Sequence, residues 1–323
     1  MSDKSRIEWT DATWNPVTGC TKVSEGCRNC YALAFAERFR GVEGHYFENG
    51  FDVTLREDKI HVPATWKRPR RIFVNSMSDL FHEDVPFQYM ARVFSIMRRS
   101  PQHQFQVLTK RPERMLEFME WYQQTLDSDF AGRVTLPFPN VWLGVSVENQ
   151  KAADERIPLL LQTPAAVRFL SCEPLLGEVN VSPYLSPVDT VTDEDGRDYS
   201  VNIPGVDWVI AGGENGPKAR PMHPDWVRTL RDQCEEARVP FFFKQWGEYI
   251  VPIDELPACR VCGCTEHNAC PDGCWWIEED LCSNCEGLEA APQRPVEFER
   301  VGKKKAGRVL DGRTWDEMPV IGE

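Results

Sequence analysis

Residues 71–79 read RIFVNSMSD, 104–111 QFQVLTKR, 141–149 VWLGVSVEN, 167–174 VRFLSCEP, 208–215 WVIAGGEN and 240–246 PFFFKQW. Each opens on a short β-favouring apolar run and closes on polar residues. The runs predict strands over Arg71–Asn75, Gln104–Leu108, Val141–Val145, Val167–Ser171, Trp208–Ala211 and Pro240–Phe243. Helical spacing lies between them. Met90, Val93, Phe94 and Met97 form one apolar stripe, Met115, Met119, Tyr122 and Leu126 a second, and Trp226, Val227, Leu230 and Cys234 a third. Alternating strands and helices imply a parallel sheet, because a parallel return needs a crossover, and the length suits a closed or partly closed β/α barrel. The polar clusters fall at the C-terminal strand ends, where such barrels carry their chemistry, so they predict one polar site above one barrel.

The 323 residues allow a barrel-sized domain plus a small module. The expected division is a barrel over 1–256, a cysteine-rich module over 257–287 and a C-terminal tail over 288–323 that packs back on the barrel. Residues Gly41–Pro69 read as an aromatic and basic insertion, and 178–205 as a polar surface excursion. No apolar run approaches the ~20 residues of a membrane helix, and the polar start lacks a signal-peptide core, so no membrane partner and a cytoplasmic location are expected. The net charge of −13 is uneven: Gln245–Arg294 holds ten acids and two bases. The main body keeps local basic clusters at Lys67, Arg68, Arg70 and Arg71, at Arg98 and Arg99, and at Lys110 and Arg111. The acidic total therefore does not exclude a nucleic acid partner. Each cluster on its own is equally a solvated face.

Twelve cysteines in a reducing compartment point to metal binding or catalysis rather than disulfides. Cys20, Cys27 and Cys30 have the spacing C-x6-C-x2-C, directly before a helix expected over Tyr31–Arg40. Three thiols on one loop leave one metal position open. A structural zinc site is normally closed by a fourth ligand, and the nearest histidine, His45, lies beyond the helix. A [4Fe–4S] cluster on three thiolates keeps one iron free for an outside ligand. Spacing alone leaves three readings: a cluster, a zinc site, or structural thiols.

At this point the chain resembles known proteins. The run Cys27–Ala32, CRNCYA, is similar to radical SAM enzymes, and to their spore photoproduct lyase branch in having a tyrosine after the last cluster cysteine. WTDATWNPVTGC, RIFVNSMSDLFHE, LTKRP, WLGVSVENQ, CEPLLG, GGENGPKARPMHPDWVRTLRDQC and PFFFKQWGE resemble a phage protein family with its own three-Cys motif. The likeness spans about residues 7–250, together with VLDGRTWDEMP in the tail. It implies a radical-SAM-type, partial β/α barrel in the host cytoplasm. A [4Fe–4S] cluster on Cys20, Cys27 and Cys30 would cleave S-adenosylmethionine to a 5′-deoxyadenosyl radical. Electrons would come from a flavodoxin- or ferredoxin-type donor.

The first gap is six residues rather than the commoner three, and no Gly-Gly-Glu follows the second strand. The one at Gly212–Glu214 comes too late to hold the cofactor's amino group. The resemblance instead offers Tyr31 and Lys110 as cofactor contacts, Lys110 facing the carboxylate. Ser76, Ser78 and Asp79 are expected around the amino group, and Ser146 near the methionyl or ribose part. Lys110 and Arg111 are equally readable as charges at a helix start. Cys172 with Glu173 ends a strand, where a thiol could return a hydrogen atom to a substrate radical; the alternative is a core cysteine.

The second cluster runs CRVCGCTEHNACPDGCWWIEEDLCSNC, residues 259–285. The bracketing pairs Cys259/Cys262 and Cys282/Cys285 have the signature of one four-cysteine zinc site. Cys264, Cys270 and Cys274 are alternates, as part of an auxiliary iron–sulfur cluster or of a second site with His267. So short a module should draw its folding energy from the metal. Trp275 and Trp276 are expected to pack it on the barrel or to stack on a base. The leading substrate class is nucleic acid, for modification or repair. The alternatives are a zinc-dependent nucleic-acid-binding protein without catalysis, and a radical enzyme acting on a peptide or small metabolite.

Overall fold

A computed structural model of the chain describes residues 5, 7–131, 133–185, 188–192, 198–202, 204–251, 259, 275–278, 281–285 and 297–319. Seven strands make one sheet: β1 Ala12–Trp14, β2 Arg71–Val74, β3 Gln104–Thr109, β4 Val141–Ser146, β5 Val167–Cys172, β6 Trp208–Gly212 and β7 Phe241–Gln245. They lie side by side in chain order, and every pairing is parallel. An order that never reverses keeps right-handed crossovers on one face, which curls the sheet instead of winding it doubly. Among the described residues no ladder joins β1 to β7, so the result is a half-barrel. The six strands expected from sequence are present with ends shifted by a residue or two. The seventh, β1, is too short to show a pattern.

The helices cover one face. They are α1 Tyr31–Ala36, α2 Phe87–Arg98, α3 Pro112–Phe130, α4 Gln150–Gln162 and α5 Pro224–Ala237. Helix α2 buries Met90, Val93, Phe94 and Met97, and α3 buries Met115, Met119, Tyr122 and Leu126, as their spacing requires. Asn149 caps α4 by accepting a hydrogen bond from the Ala152 N–H at 3.0 Å. Helix α1 is shorter than expected. It passes at Glu37 into a 3₁₀ turn, and Arg40 there bonds both Glu37 and Asp52.

Side chains alternate across the sheet. Ile72, Val74, Phe105, Val107, Leu143, Val145, Leu170, Val209, Phe241 and Phe243 join the helices in the main core. Phe73, Trp142, Val167, Phe169, Trp208, Ile210 and Phe242 point the other way and, with Trp9, form a second apolar cluster on the concave face. Position 144 of that face must be glycine, since a Cβ there would lie 2.6 Å from the Phe169 carbonyl oxygen. Above this aromatic floor, toward the C-terminal strand ends, the same face becomes polar.

The excursion after β5 includes a hairpin, Val188–Thr192 with Asp198–Asn202. After β7, Tyr249–Ile250 pairs antiparallel with Glu299–Arg300. The cysteine-rich segment therefore leaves and rejoins the barrel at one stem, at the C-terminal end of β7. The tail then returns to the core. Leu310 and Trp315 are buried, Phe243 donates its N–H to the Trp315 carbonyl, and Trp208 Nε1 bonds the Glu317 carbonyl at 2.9 Å.

Candidate metal and cofactor site

The loop carrying Cys20, Cys27 and Cys30 crosses the open end of the half-barrel and is tied to it strand by strand. Gly19 bridges to Ser78 after β2, and Tyr31 donates its hydroxyl to the Ser76 carbonyl at 2.7 Å. Beyond β3, Arg111 Nη1 lies 3.3 Å from Cys20 Sγ, and its Nη2 bonds Thr21 Oγ1 at 2.8 Å. Beyond β4, the Gly26 N–H approaches Glu148 Oε1 at 3.4 Å. Beyond β6, Glu214 accepts from Asn29 Nδ2 at 3.0 Å and is held by Arg220 at 2.8 Å.

The late Gly-Gly-Glu thus has a definite task, as a brace on the cysteine loop. Its glycines permit the approach: a Cβ on Gly213 would lie 1.9 Å from the Trp246 carbonyl oxygen. Burial alone would raise the Glu214 pKa, but hydrogen bonds from Arg220 and Asn29 outweigh it and hold the carboxyl below its usual range.

The three thiols are part-buried and free. Burial, and then the nearby Asp79 charge, push the Cys20 thiol up to about 11 against the pull of Arg111. His82 is fully buried, and its Nε2 pairs with Thr21 Oγ1 at 2.8 Å. His45 does not approach the thiols to close a site; it stacks on Phe39 at 3.9 Å.

The other expected contacts divide. Asp79 is saturated by Thr109 Oγ1 at 2.8 Å, the Phe81 and Lys110 N–H groups and Arg111. Ser78 Oγ is spent on the Val17 carbonyl, and Ser76 Oγ on Asn15 Oδ1. These three hold the loop after β2 in shape: Asp79 is fully engaged, while each serine gives its hydroxyl proton to the protein and keeps its oxygen lone pairs. Sequence could not show this, because the partners come from residues 15–17 and 109–111. Lys110 differs: its ammonium makes no hydrogen bond or ion pair among the described residues. Its stem runs beside Gly26 and Glu148, and Glu148 is already paired with Arg156 at 2.8 Å. Glu173, Glu214 and Asp79 are likewise paired, with Lys244, Arg220 and Arg111, and Lys110 is a cation not committed to a carboxylate. Ser146 is buried on β4, in register with Ser171 on β5.

Cys172 faces away from the mouth. It is fully buried in the helix-side core near Cys234, and burial drives its pKa well up. Strand parity explains this: Ser171 and Glu173 share the inner face, and the residue between them cannot. The hydrogen-donor reading of Cys172 is therefore corrected to a core cysteine. Glu173 does face inward, paired with Lys244 of β7 at 2.9 Å and bonded by Ser171 at 3.3 Å. Lys244 was missed from sequence, although FFFKQ alternation puts it on the same face as Phe242. Tyr31 is 59% exposed as a whole. Burial of its hydroxyl end, then Cys30 and Glu173, raises the phenol's pKa.

In the second cysteine cluster, Cys259, Cys282 and Cys285 are buried with their sulfurs within 4.8 Å of one another. They are a metal-ligand triad, and the Cys282 N–H points at Cys259 Sγ, 3.4 Å away. The hairpin Trp276–Glu278 with Leu281–Cys282 sets that geometry. Cys262, Cys264, His267, Cys270 and Cys274 lie outside the described residues. Trp275 is 71% exposed, which corrects the expectation that it packs on the barrel.

The Lys67–Arg71 and Arg98–Arg99 clusters sit at the opposite pole, around the N-terminal ends of β2 and β3. A shallow cleft of about 470 Å³ there, lined by Arg70, Arg71, Gln102 and His103, holds none of the expected site residues. Among the described residues no helix is long and apolar enough to cross a membrane.

Comparison with curated proteins and with solved structures gives no match. A family model described as "Protein of unknown function (DUF5131)" matches residues 4–319, almost the whole length, and the chain belongs to that family.

Proposed function

We propose that this chain is a radical SAM enzyme whose cluster is held by Cys20, Cys27 and Cys30. The observation that carries the reading is the placement of three free thiols on one loop across the C-terminal strand ends, where the inner face turns polar. The donor set fits an open cluster. A single tetrahedral zinc brings its thiolates to about 3.8 Å from one another, from Zn–S bonds of ~2.3 Å. Cys259, Cys282 and Cys285, with sulfurs within 4.8 Å of one another, stand close enough to share such an ion. The N-terminal loop offers three free thiols, the donor set that leaves the fourth iron of a [4Fe–4S] cluster open.

When bound, the cluster would pass one electron to S-adenosylmethionine, breaking its sulfur–C5′ bond to give methionine and a 5′-deoxyadenosyl radical that takes a hydrogen atom from substrate. The chain's own residues do the rest. Arg111 donates to Cys20 and offsets thiolate charge. Lys110, the uncommitted cation, pairs with the cofactor's carboxylate. Tyr31 and Ser146 line the site, and Glu214 fixes the loop through Asn29. A flavodoxin- or ferredoxin-type protein supplies the electron, and zinc occupies the Cys259, Cys282 and Cys285 site. The substrate class is nucleic acid, supported by the uncommitted cation Lys110 at the mouth and by the exposed Trp275.

Anaerobic reconstitution tests the reading. About four irons per chain should bind, with a broad visible absorption that dithionite bleaches. Replacing Cys20, Cys27 and Cys30 together by Ala should abolish both that signal and the formation of 5′-deoxyadenosine. A triple variant that keeps its cluster would move the iron elsewhere and end the proposal.

A further inference from the structure

We infer that Glu173 and Lys244 form a base-reading subsite, the place where a nucleobase of the substrate is held by its hydrogen-bonding edge. This rests on the reading of the mouth as the reaction chamber and goes beyond it by naming the group recognised.

The pair lies on the concave face, one step above the aromatic floor of Phe169, Trp208 and Phe242. Lys244 Nζ and Glu173 Oε1 are 2.9 Å apart, and the side chains keep 18% and 13% of their surface open. An ion pair this enclosed loses about as much in desolvation as it gains in attraction, so stability alone is a weak reason for it. Among the described residues no helix contributes to the apolar cluster on this face. Between the two strands that carry the pair, β6 offers Gly212, where a Cβ would come within 2.8 Å of Glu173 Oε1. The missing side chain leaves the carboxylate room. Ser171 bonds Oε2 at 3.3 Å and fixes the carboxylate's orientation.

The chemistry selects the ligand. An ionised carboxylate only accepts hydrogen bonds and an ammonium only donates. Side by side, they match a flat group with a donor and an acceptor adjacent on one edge. Every nucleobase has such a pair on its Watson–Crick edge, which an unpaired base leaves open. A trans peptide group does not, because its N–H and C=O point in opposite directions. The exposed ring of Tyr31, whose hydroxyl end feels the Glu173 charge, gives a flat base a surface to lie on.

The test uses the full chain and two fluorescent probes: a short single-stranded DNA, and the same strand with its bases replaced by abasic residues. Binding is read by anisotropy. The base-bearing strand should bind about 5- to 150-fold more tightly, the span of one bidentate base contact. Glu173→Leu with Lys244→Met, which removes the acceptor and the donor together without changing the net charge, should erase that advantage and leave abasic binding unchanged. Gly212→Ala, which displaces the carboxylate without altering charge, should reduce the advantage and covers the case in which the double variant fails to fold. Equal binding of both strands by the wild type, binding of neither, or an advantage that survives in the variants would overturn the subsite. Cleavage of S-adenosylmethionine is scored separately. A chain that cleaves it without preferring bases loses only the subsite, and one that prefers bases without cleaving it loses only the radical reading.

Discussion

The brace at Glu214 gives the sharpest test of how the cysteine loop is held. Glu214→Ala removes one carboxylate that accepts from Asn29 Nδ2 and from the backbone N–H, Nε and Nη2 of Arg220. Breaking a buried ion pair by deleting one partner costs about 3–5 kcal/mol. Here Glu214 is nearly buried, but Arg220 keeps 23% of its side-chain surface, so water recovers part of the loss. Arg220 also keeps a weaker contact with Glu25 at 3.8 Å. The net cost should be about 2–3 kcal/mol, or on the order of 5 °C in Tm for a chain of this size. Asn29→Ala leaves the Glu214–Arg220 pair intact, removes the loop's bonds to Glu214 and to the Lys218 carbonyl, and should cost about 1–2 kcal/mol. Urea denaturation measures both costs, and amide hydrogen exchange over residues 20–30 reports the loop. Both variants should speed exchange there, and both should lose iron faster on desalting. Unchanged exchange in Asn29→Ala, or a cost below about 1 kcal/mol in Glu214→Ala, would show that the brace does not hold the loop.

Three further outcomes follow from the same geometry. Lys110→Ala should weaken binding of S-adenosylmethionine about 10- to 150-fold, from loss of one charge-assisted hydrogen bond, with the cluster absorption unchanged; equilibrium dialysis decides it. Cys172→Ala should lower stability by roughly 1 kcal/mol and leave the product distribution alone, since the thiol lies in the helix-side core; a changed distribution would return it to the chemistry. Because the Glu214 carboxyl is held below its usual 4.5, its stabilising contribution is complete above that pH and disappears as pH falls through the lowered value. The stability gap between wild type and Glu214→Gln should therefore be constant from pH 7 to about 5 and narrow in more acid urea titrations.

The fold was legible because its signals are local. Apolar runs such as VWLGV and the stripes of α2 and α3 specify strands and helices within a few residues. The order of the strands follows from the alternation alone. Parity could have gone further. In LSCEP the inner face must take either Ser171 and Glu173 or Cys172 alone, and the apolar Phe169 on the same face decides it. Reading the strand end as a cluster rather than as an alternation made Cys172 a candidate donor. Lys244 was overlooked for the same reason, two residues beyond Phe242.

The partners of the polar groups were not legible, because they are fixed by crossings between distant segments. Ser78, Asp79 and Asn29 find their bonds 61, 30 and 185 residues away. A serine or aspartate at a strand end looks the same in sequence whether it waits for a ligand or supports a loop. The structure separates the two by what each group already touches. Glu148, Glu173 and Glu214 at the mouth each have a cation of their own, in Arg156, Lys244 and Arg220. Asp79 is spent in the same way on Arg111. Lys110 stands outside these pairs, beside a loop that carries three free thiols. On the proposed reading, three thiolates ligating a metal core would bring negative charge to this mouth, and Lys110 would be the nearby cation available to an anionic group of the cofactor.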